Sequence, residues 1–246
     1  MDYSDLFILL ATGIITGLIN IVAGGGSTLS LPVLLFLGLD SATANGTNRL
    51  GIMIQNIAAI SGFQKDKLNE FSLSFKLALF TLPGAIIGAL AAVEISDLWF
   101  KRILGVVMIL IVLTLFIPPV PKGADQKQEQ QNNWKLYFSL FGIGFYGGFI
   151  QAGVGFLLMA ALFHLLRITL IKVNIHKVFI ILLFNIPAFL LFLAADKVAW
   201  LPGIVLAAGN ATGGWLSARI SVKKGDRFIK YALASIIILM AVKLII

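Results

Sequence analysis

Residues 6–39 read LFILLATGIITGLINIVAGGGSTLSLPVLLFLGL, 34 residues without a formal charge. A bilayer-spanning helix needs about 20 apolar residues, so this run is too long for one crossing and too short for two with a turn. Its middle, Ala23-Gly24-Gly25-Gly26-Ser27, holds three consecutive glycines, each about 1 kcal/mol less favourable in a helix than Ala. The run predicts a helix that stops, turns and restarts inside the membrane, with Ser27 and Thr28 opening a second arm. Non-helical backbone at that depth survives only when buried in protein or lining a polar cavity. A second run of the same kind covers residues 136–166, 31 residues long, and breaks at Gly147-Gly148 and Gly153-Val154-Gly155.

Composition supports this reading. Of 246 residues, 59% are apolar and only 12% charged, against about 45–50% and about 25% in soluble domains. A water-facing surface does not tolerate so little charge, so a soluble enzyme and a disordered chain are excluded. The absence of Cys excludes a disulfide scaffold. The length corresponds to about eight passes. Lys and Arg number 19 against 11 Asp and Glu; in a membrane protein this excess marks cytoplasmic loops and not nucleic-acid binding. The start, Met1-Asp2-Tyr3-Ser4-Asp5, lacks a basic region and a small-residue cleavage site, so no signal peptide is expected.

Charges punctuate the remainder. Uncharged windows lie between Arg49 and Lys65 and over residues 77–93, 103–121, 178–195 and 198–218, and the stretch from Tyr231 onward carries only Lys243. With the two broken runs these make eight hydrophobic segments in an all-α polytopic membrane protein.

The broken runs open two halves of similar order. Gly13 and Gly17 match Gly144 and Gly148 at an offset of 131, which also sets Asn20 against Gln151. At an offset of 129, Asn45 meets Asn174 and Asn56 meets Asn185. Leu82-Pro83-Gly84 resembles Leu201-Pro202-Gly203, and Phe100-Lys101-Arg102 resembles Phe228-Ile229-Lys230. The expected organisation is a first membrane repeat over 1–117, a hydrophilic linker over 118–135 and a second repeat over 136–246. If each opening run is a re-entrant hairpin, the repeats are inverted and Lys/Arg divide 14 to 5 between the faces; a single crossing gives parallel repeats and 11 to 8. The positive-inside rule prefers the inverted arrangement, which is also the one in which many transporters build a site at the repeat interface.

No Asp, Glu, Lys or Arg is expected inside a span except at its ends, which argues against a cation pump. No metal-binding cluster or GxSxG elbow is present, no cofactor is implied, and His164 and His176 read as structural. What remains are uncharged polar groups at broken helices. A helix N-terminus offers unpaired N–H groups and partial positive charge, hence an anion site. The candidate substrate-binding residues are Asn20, Gly24, Gly25, Gly26, Ser27 and Thr28 with Gln151, Gly153 and Gly155; Ser27 read alone is equally an N-cap, and the two amides equally satisfy helix ends. Asn45, Thr47, Asn48 and Arg49, with Asn174 and Lys177, are either an anion's access surface or caps with interfacial snorkelling cations. For Arg49 and Lys177 capping with snorkelling is the favoured expectation. Asn56 and Asn185 are interhelical glue or pore lining. Gly84/Gly88 and Gly209/Gly213 read as close helix packing.

These segments resemble the sulfite exporter TauE/SafE family of membrane permeases. The resemblance is carried by Ala23 through Ser27, Pro32, Ala44 through Arg49, Gly144-Phe145-Tyr146-Gly147-Gly148, Gln151 through Phe156, Asn174 through Lys177, and Asn185. It implies a duplicated permease exporting small sulfur-containing anions such as sulfite, sulfoacetate or other organosulfonates. One departure is the second half, where Gly153-Val154-Gly155-Phe156 replaces a full glycine run. The expectation is therefore a non-enzymatic secondary transporter in a prokaryotic inner membrane, with a small anion and the lipid bilayer as partners and H⁺ as candidate coupling ion. The competing readings are a channel-like anion pore and a non-transporting scaffold or intramembrane enzyme.

Overall fold

The computed structural model describes residues 2–63, 71–115, 133–166, 168 and 170–219. Among these there are nine helices and no strand: α1 (Tyr3–Ala23), α2 (Ser27–Phe36), α3 (Ser41–Phe63), α4 (Phe71–Glu94), α5 (Asp97–Leu115), α6 (Asn133–Phe149), α7 (Val154–Leu166), α8 (Leu170–Ala194) and α9 (Trp200–Arg219). The linker and the segment from Tyr231 onward lie largely or wholly outside the described residues.

The exterior is apolar, and the apolar core also holds buried polar side chains. Phe7, Ile57, Leu90, Leu113 and Phe138 are exposed while Asn45, Arg49, Gln55 and Asn185 are fully buried. An apolar exterior, with polar side chains kept inside, is what a hydrocarbon solvent selects. Three helices, over Tyr3–Ile21, Ser72–Glu94 and Lys172–Ala194, are long and apolar enough to cross a bilayer on composition. Helix α3 is as long, at 23 residues or about 35 Å, but its polar residues face inward and lower its mean hydropathy.

Both long runs break in the membrane. The first gives a full-length α1 and a ten-residue α2, only about 15 Å long. A Cβ on Gly26 would meet Asn20 Cβ at 2.7 Å, so α2 folds back onto α1. The second run gives α6 and α7, 17 and 13 residues long.

Helix directions follow from residue pairs. Gly13 meets Asn210, Gly17 meets Gly214 and Ser217 bonds Leu18, so α1 runs parallel to α9. Thr47 takes the Ala199 N–H and Gln55 packs on Gly214, so α3 runs with them. Gly84 and Gly88 step along Phe141, Phe145 and Phe149, making α4 and α6 parallel. Ser74 meets His176, while Ala92 shares a cluster with Phe192, which adds α8 to that set. Gly46 against Phe192 and Arg49 against Asn185 show that α3 and α8, hence the two sets, are antiparallel. The backbone contacts repeat at fixed offsets: Gly84 lies on Phe141 O and Phe145 N as Gly209 lies on Leu10 O and Ile14 N. Close glycine seams of this kind let backbones approach where lipid supplies no hydrophobic driving force between helices.

Two expectations are corrected. Arg49 and Lys177 do not mark helix ends: α3 and α8 begin at Ser41 and Leu170, so both cations lie two turns inside. Removing one residue from each face leaves the Lys/Arg asymmetry as it was. The Leu-Pro-Gly match does not align equivalent places either, because Pro83 is in mid-α4 and Pro202 in the first turn of α9; Gly84 has its packing counterpart in Gly209.

At the end where α3 starts, Ser41 donates its N–H and hydroxyl to Asp97 Oδ1 at 2.7 and 2.5 Å, and Lys197 approaches Asp40 at 3.6 Å. Burial would raise the Asp40 carboxyl, but hydrogen bonds from Thr43 and the charge of Lys197 hold it below its ordinary value.

Candidate functional site

The two breaks meet. A Cβ on Gly24 would lie 2.5 Å from the Gly155 carbonyl carbon, and one on Gly25 would overlap the Phe156 ring. Gly24 can serve because its φ of +84° closes α1 in a left-handed turn, with its N–H on Asn20 O. The Ser27 hydroxyl ties the breaks together, donating to Gln151 O at 3.2 Å and accepting the Gly153 N–H at 3.2 Å. Thr28 turns its hydroxyl onto Gly25 O at 2.6 Å, and the N–H groups of Thr28 and Leu29 close tight turns on Gly25 and Gly26. The N–H groups of Gly25, Gly26 and Ser27 make no hydrogen bond among the described residues. In the second break Gln151 takes a φ of +65° and Gly153 one of +71°. The Gln151 amide donates to Asn185 Oδ1 at 3.0 Å, and the Tyr146 hydroxyl closes onto Ala152 O.

Around this junction sit two cations that the sequence reading placed at the interface. Arg49 is 0% and Lys177 1% exposed; neither snorkels. Arg49 donates to Asn185 Oδ1 at 3.1 Å, to Gly147 O at 3.2 Å and to Gly148 O. Asn45, one turn earlier on α3, donates to Phe149 O at 2.7 Å. Together they receive the last carbonyls of α6. Lys177 does the same for α1, donating to Asn20 O at 3.1 Å, Ile21 O at 3.0 Å and its own neighbour Asn174 Oδ1 at 2.8 Å. A helix C-terminus carries about half a negative charge, so each broken helix is closed by a cation from the opposite half of the chain. No carboxylate pairs with either cation among the described residues. The expectation that the spans hold no buried cation is therefore corrected.

Most of the remaining candidates join this centre. Asn185 links Arg49 and Gln151 and returns its amide to Arg49 O at 3.0 Å. Asn48 accepts from Ser30 of α2 at 2.6 Å. Two stand apart: Thr47 caps the start of α9 through Ala199, and Asn56 donates to Ile52 O of its own helix. Ser30, Tyr146 and Met159, the last touching Lys177, were missed, since nothing in an apolar run distinguishes a buried hydroxyl from a lipid-facing one. His176 is buried and bonded to Ser74.

Paired helix breaks and buried polar or charged groups in an all-α polytopic membrane protein are features that membrane transporters use to build a site. The particular family is settled by comparison. The model of the family described as "Sulfite exporter TauE/SafE" matches residues 9–244, and the chain belongs to that family. It is 28% identical to a "Probable membrane transporter protein" of Haemophilus influenzae, covering 98% of this chain and 94% of that one. It is 28% identical to "Probable membrane transporter protein YfcA" of Escherichia coli, covering 98% and 89%, and 25% identical to "Probable membrane transporter protein YunE" of Bacillus subtilis, covering 97% and 96%. No solved structure matches. The chain is a membrane transporter of the TauE/SafE type, and with bacterial relatives and apolar spanning helices it is a prokaryotic inner-membrane protein.

Proposed function

We propose that this chain is a secondary transporter that exports small sulfur-containing anions, sulfite or an organosulfonate, by alternating access of two inverted repeats around the paired breaks. The observation that carries the reading is the pair of fully buried cations, Arg49 and Lys177, without a carboxylate partner among the described residues. Burying an unpaired charge costs on the order of several kcal/mol, and the helix-end carbonyls compensate only in part. A mobile anion completes the balance. Its remaining ligands are the N–H groups of Gly25, Gly26 and Ser27, with Asn20, Thr28, Gln151, Gly153 and Gly155 shaping the junction. The opposed directions of α1, α3 and α9 against α6, α8 and α4, and the constant offsets of their glycine contacts, support inverted repeats. The contact of Gly24 with Gly155 supports a carrier that closes over its substrate, in preference to an open pore. Proton coupling is carried by the anion itself, since sulfite takes up a proton near neutral pH.

The test is flux of labelled sulfite into proteoliposomes, competed by thiosulfate, sulfoacetate, sulfate and a carboxylate. Saturable sulfite flux, lost in Arg49→Gln, is expected. Equal transport of the carboxylate overturns the substrate class, and large single-channel currents overturn the carrier.

A further inference from the structure

The offset of 131 that sets Asn20 against Gln151 also sets Gly24 against Gly155 and Gly25 against Phe156. Gly24 and Gly155 touch reciprocally: a Cβ on either would enter the backbone of the other. In the inverted-repeat arrangement proposed above, equivalent residues that touch lie on the axis relating the halves, so the residues after them, Gly25 and Phe156, meet beside that axis. Two side chains do not fit in that one place. The chain puts glycine on one side and an aromatic ring on the other: the three atoms nearest to a Cβ on Gly25 are Cε2, Cζ and Cδ2 of Phe156. Gly25 has no left-handed φ, so the ring, and not the backbone, bars a side chain there.

The ring stands at the first of a row of donors. The N–H groups of Gly25, Gly26 and Ser27 make no hydrogen bond among the described residues. All three residues are buried, and a phenyl ring supplies no acceptor oxygen. Buried N–H groups without partners are costly, so packing holds this conformation against an electrostatic cost. An oxyanion that bonds those donors favours a conformation with the ring displaced. Phe156 sits in the first turn of α7 and is only half-buried, whereas Gly25 is buried, so part of the ring is not packed in place. The second break differs. Ile111 of α5 covers Gly153, but the Gly153 N–H is already bonded to Ser27 Oγ at 3.2 Å. The first break combines free donors with a movable cover.

We propose that Phe156 is the gate of the anion site. Its ring swings off Gly25 as the oxyanion reaches the N–H groups of Gly25, Gly26 and Ser27, and returns when the anion leaves. One side chain of the second half thereby controls access to the donors of the first. This rests on the transport reading above and goes beyond it in naming the part that moves.

The test is labelled sulfite flux into proteoliposomes across a short series of variants. Phe156→Ala should lower the half-saturating sulfite concentration about fivefold, as removal of a cover closed about four-fifths of the time does. Damage to packing alone leaves half-saturation unchanged or raises it, and either result overturns the gate. Should Phe156→Ala not fold, Phe156→Leu reads the same change in the same direction, with the same result overturning it. Exchanging the two residues checks the shared place. Gly25→Phe alone sets two rings in one space and should abolish flux, and Phe156→Gly in the same chain should restore it, with the ring now supplied by the first half. A pair as inactive as Gly25→Phe overturns the proposal. No sulfite flux by the unsubstituted protein overturns the transport reading itself, and the gate with it.

Discussion

The two breaks do the same job with different parts. In the first, one left-handed glycine, Gly24, ends α1, and a flexible ammonium from α8 gathers the freed carbonyls of Asn20 and Ile21. In the second, Gln151 itself is left-handed, at a cost of about 1–3 kcal/mol for a non-Gly residue, and a planar guanidinium from α3 takes Gly147 and Gly148. The second break spends conformational energy to keep a side chain where the first has none, and that side chain reaches Asn185, which Arg49 also holds. The Arg half is thus a rigid network and the Lys half a point charge among carbonyls. Arg and Lys differ in this way generally.

The contact on which both breaks depend is Gly24 against Gly155. Gly155→Val should have the largest effect, because its side chain would enter the Gly24 backbone. Overpacking of this kind costs about 1–3 kcal/mol or more, and here no side chain is available to yield. A fall in melting temperature in detergent with loss of flux is expected; a variant as stable and active as the parent would separate the two breaks.

Exchanging the cations sharpens the comparison. Lys177→Arg and Arg49→Lys both keep the charge. Arg49→Lys loses the fork that spans Asn185 and two carbonyls, and should cost sulfite transport about tenfold or more, on the scale of one or two charged hydrogen bonds. Lys177→Arg should cost less, since three donors in no fixed plane serve its carbonyls and Asn174. Equal losses in kcat/KM would contradict the distinction drawn here.

The smallest expected effect is that of Gln151→Gly. It relieves left-handed strain of about 1–3 kcal/mol and removes the amide bond to Asn185, worth about 1 kcal/mol. Thermal stability should stay level or rise slightly while sulfite half-saturation rises. A clear loss of stability would show that Gln151 is held for packing, not for the site.

Much of this molecule is readable without coordinates. Low charge and high apolar content dictate a membrane protein, since only lipid accepts such a surface. Glycine runs inside over-long apolar windows dictate broken helices, and the first break falls where read, with α2 opening at Ser27; in the second, α6 runs through Gly147-Gly148 to Phe149, and the break lies only beside Gly153, with α7 opening at Val154. Helix starts were less legible. The polar cluster from Asn45 to Arg49 reads as the opening of a span, yet α3 begins earlier, at Ser41, and buries the cluster, because its polar groups find partners in Phe149 O and Ala199 while Ser41 bonds Asp97.

The place of the charges was decided by tertiary structure alone. Sequence treats Arg49 and Lys177 as punctuation, since an isolated helix in lipid would push them to the interface. Only the packed bundle brings the exposed carbonyls of a broken helix from the other half to meet each cation. That long-range encounter, between residues 98 or more positions apart, has no local signature. The sequence by itself determined the solvent, the secondary structure and the two places where it fails. The tertiary fold turned those failures into two cation-capped helix ends facing each other, because a backbone that cannot bond itself in a membrane must be bonded by something else.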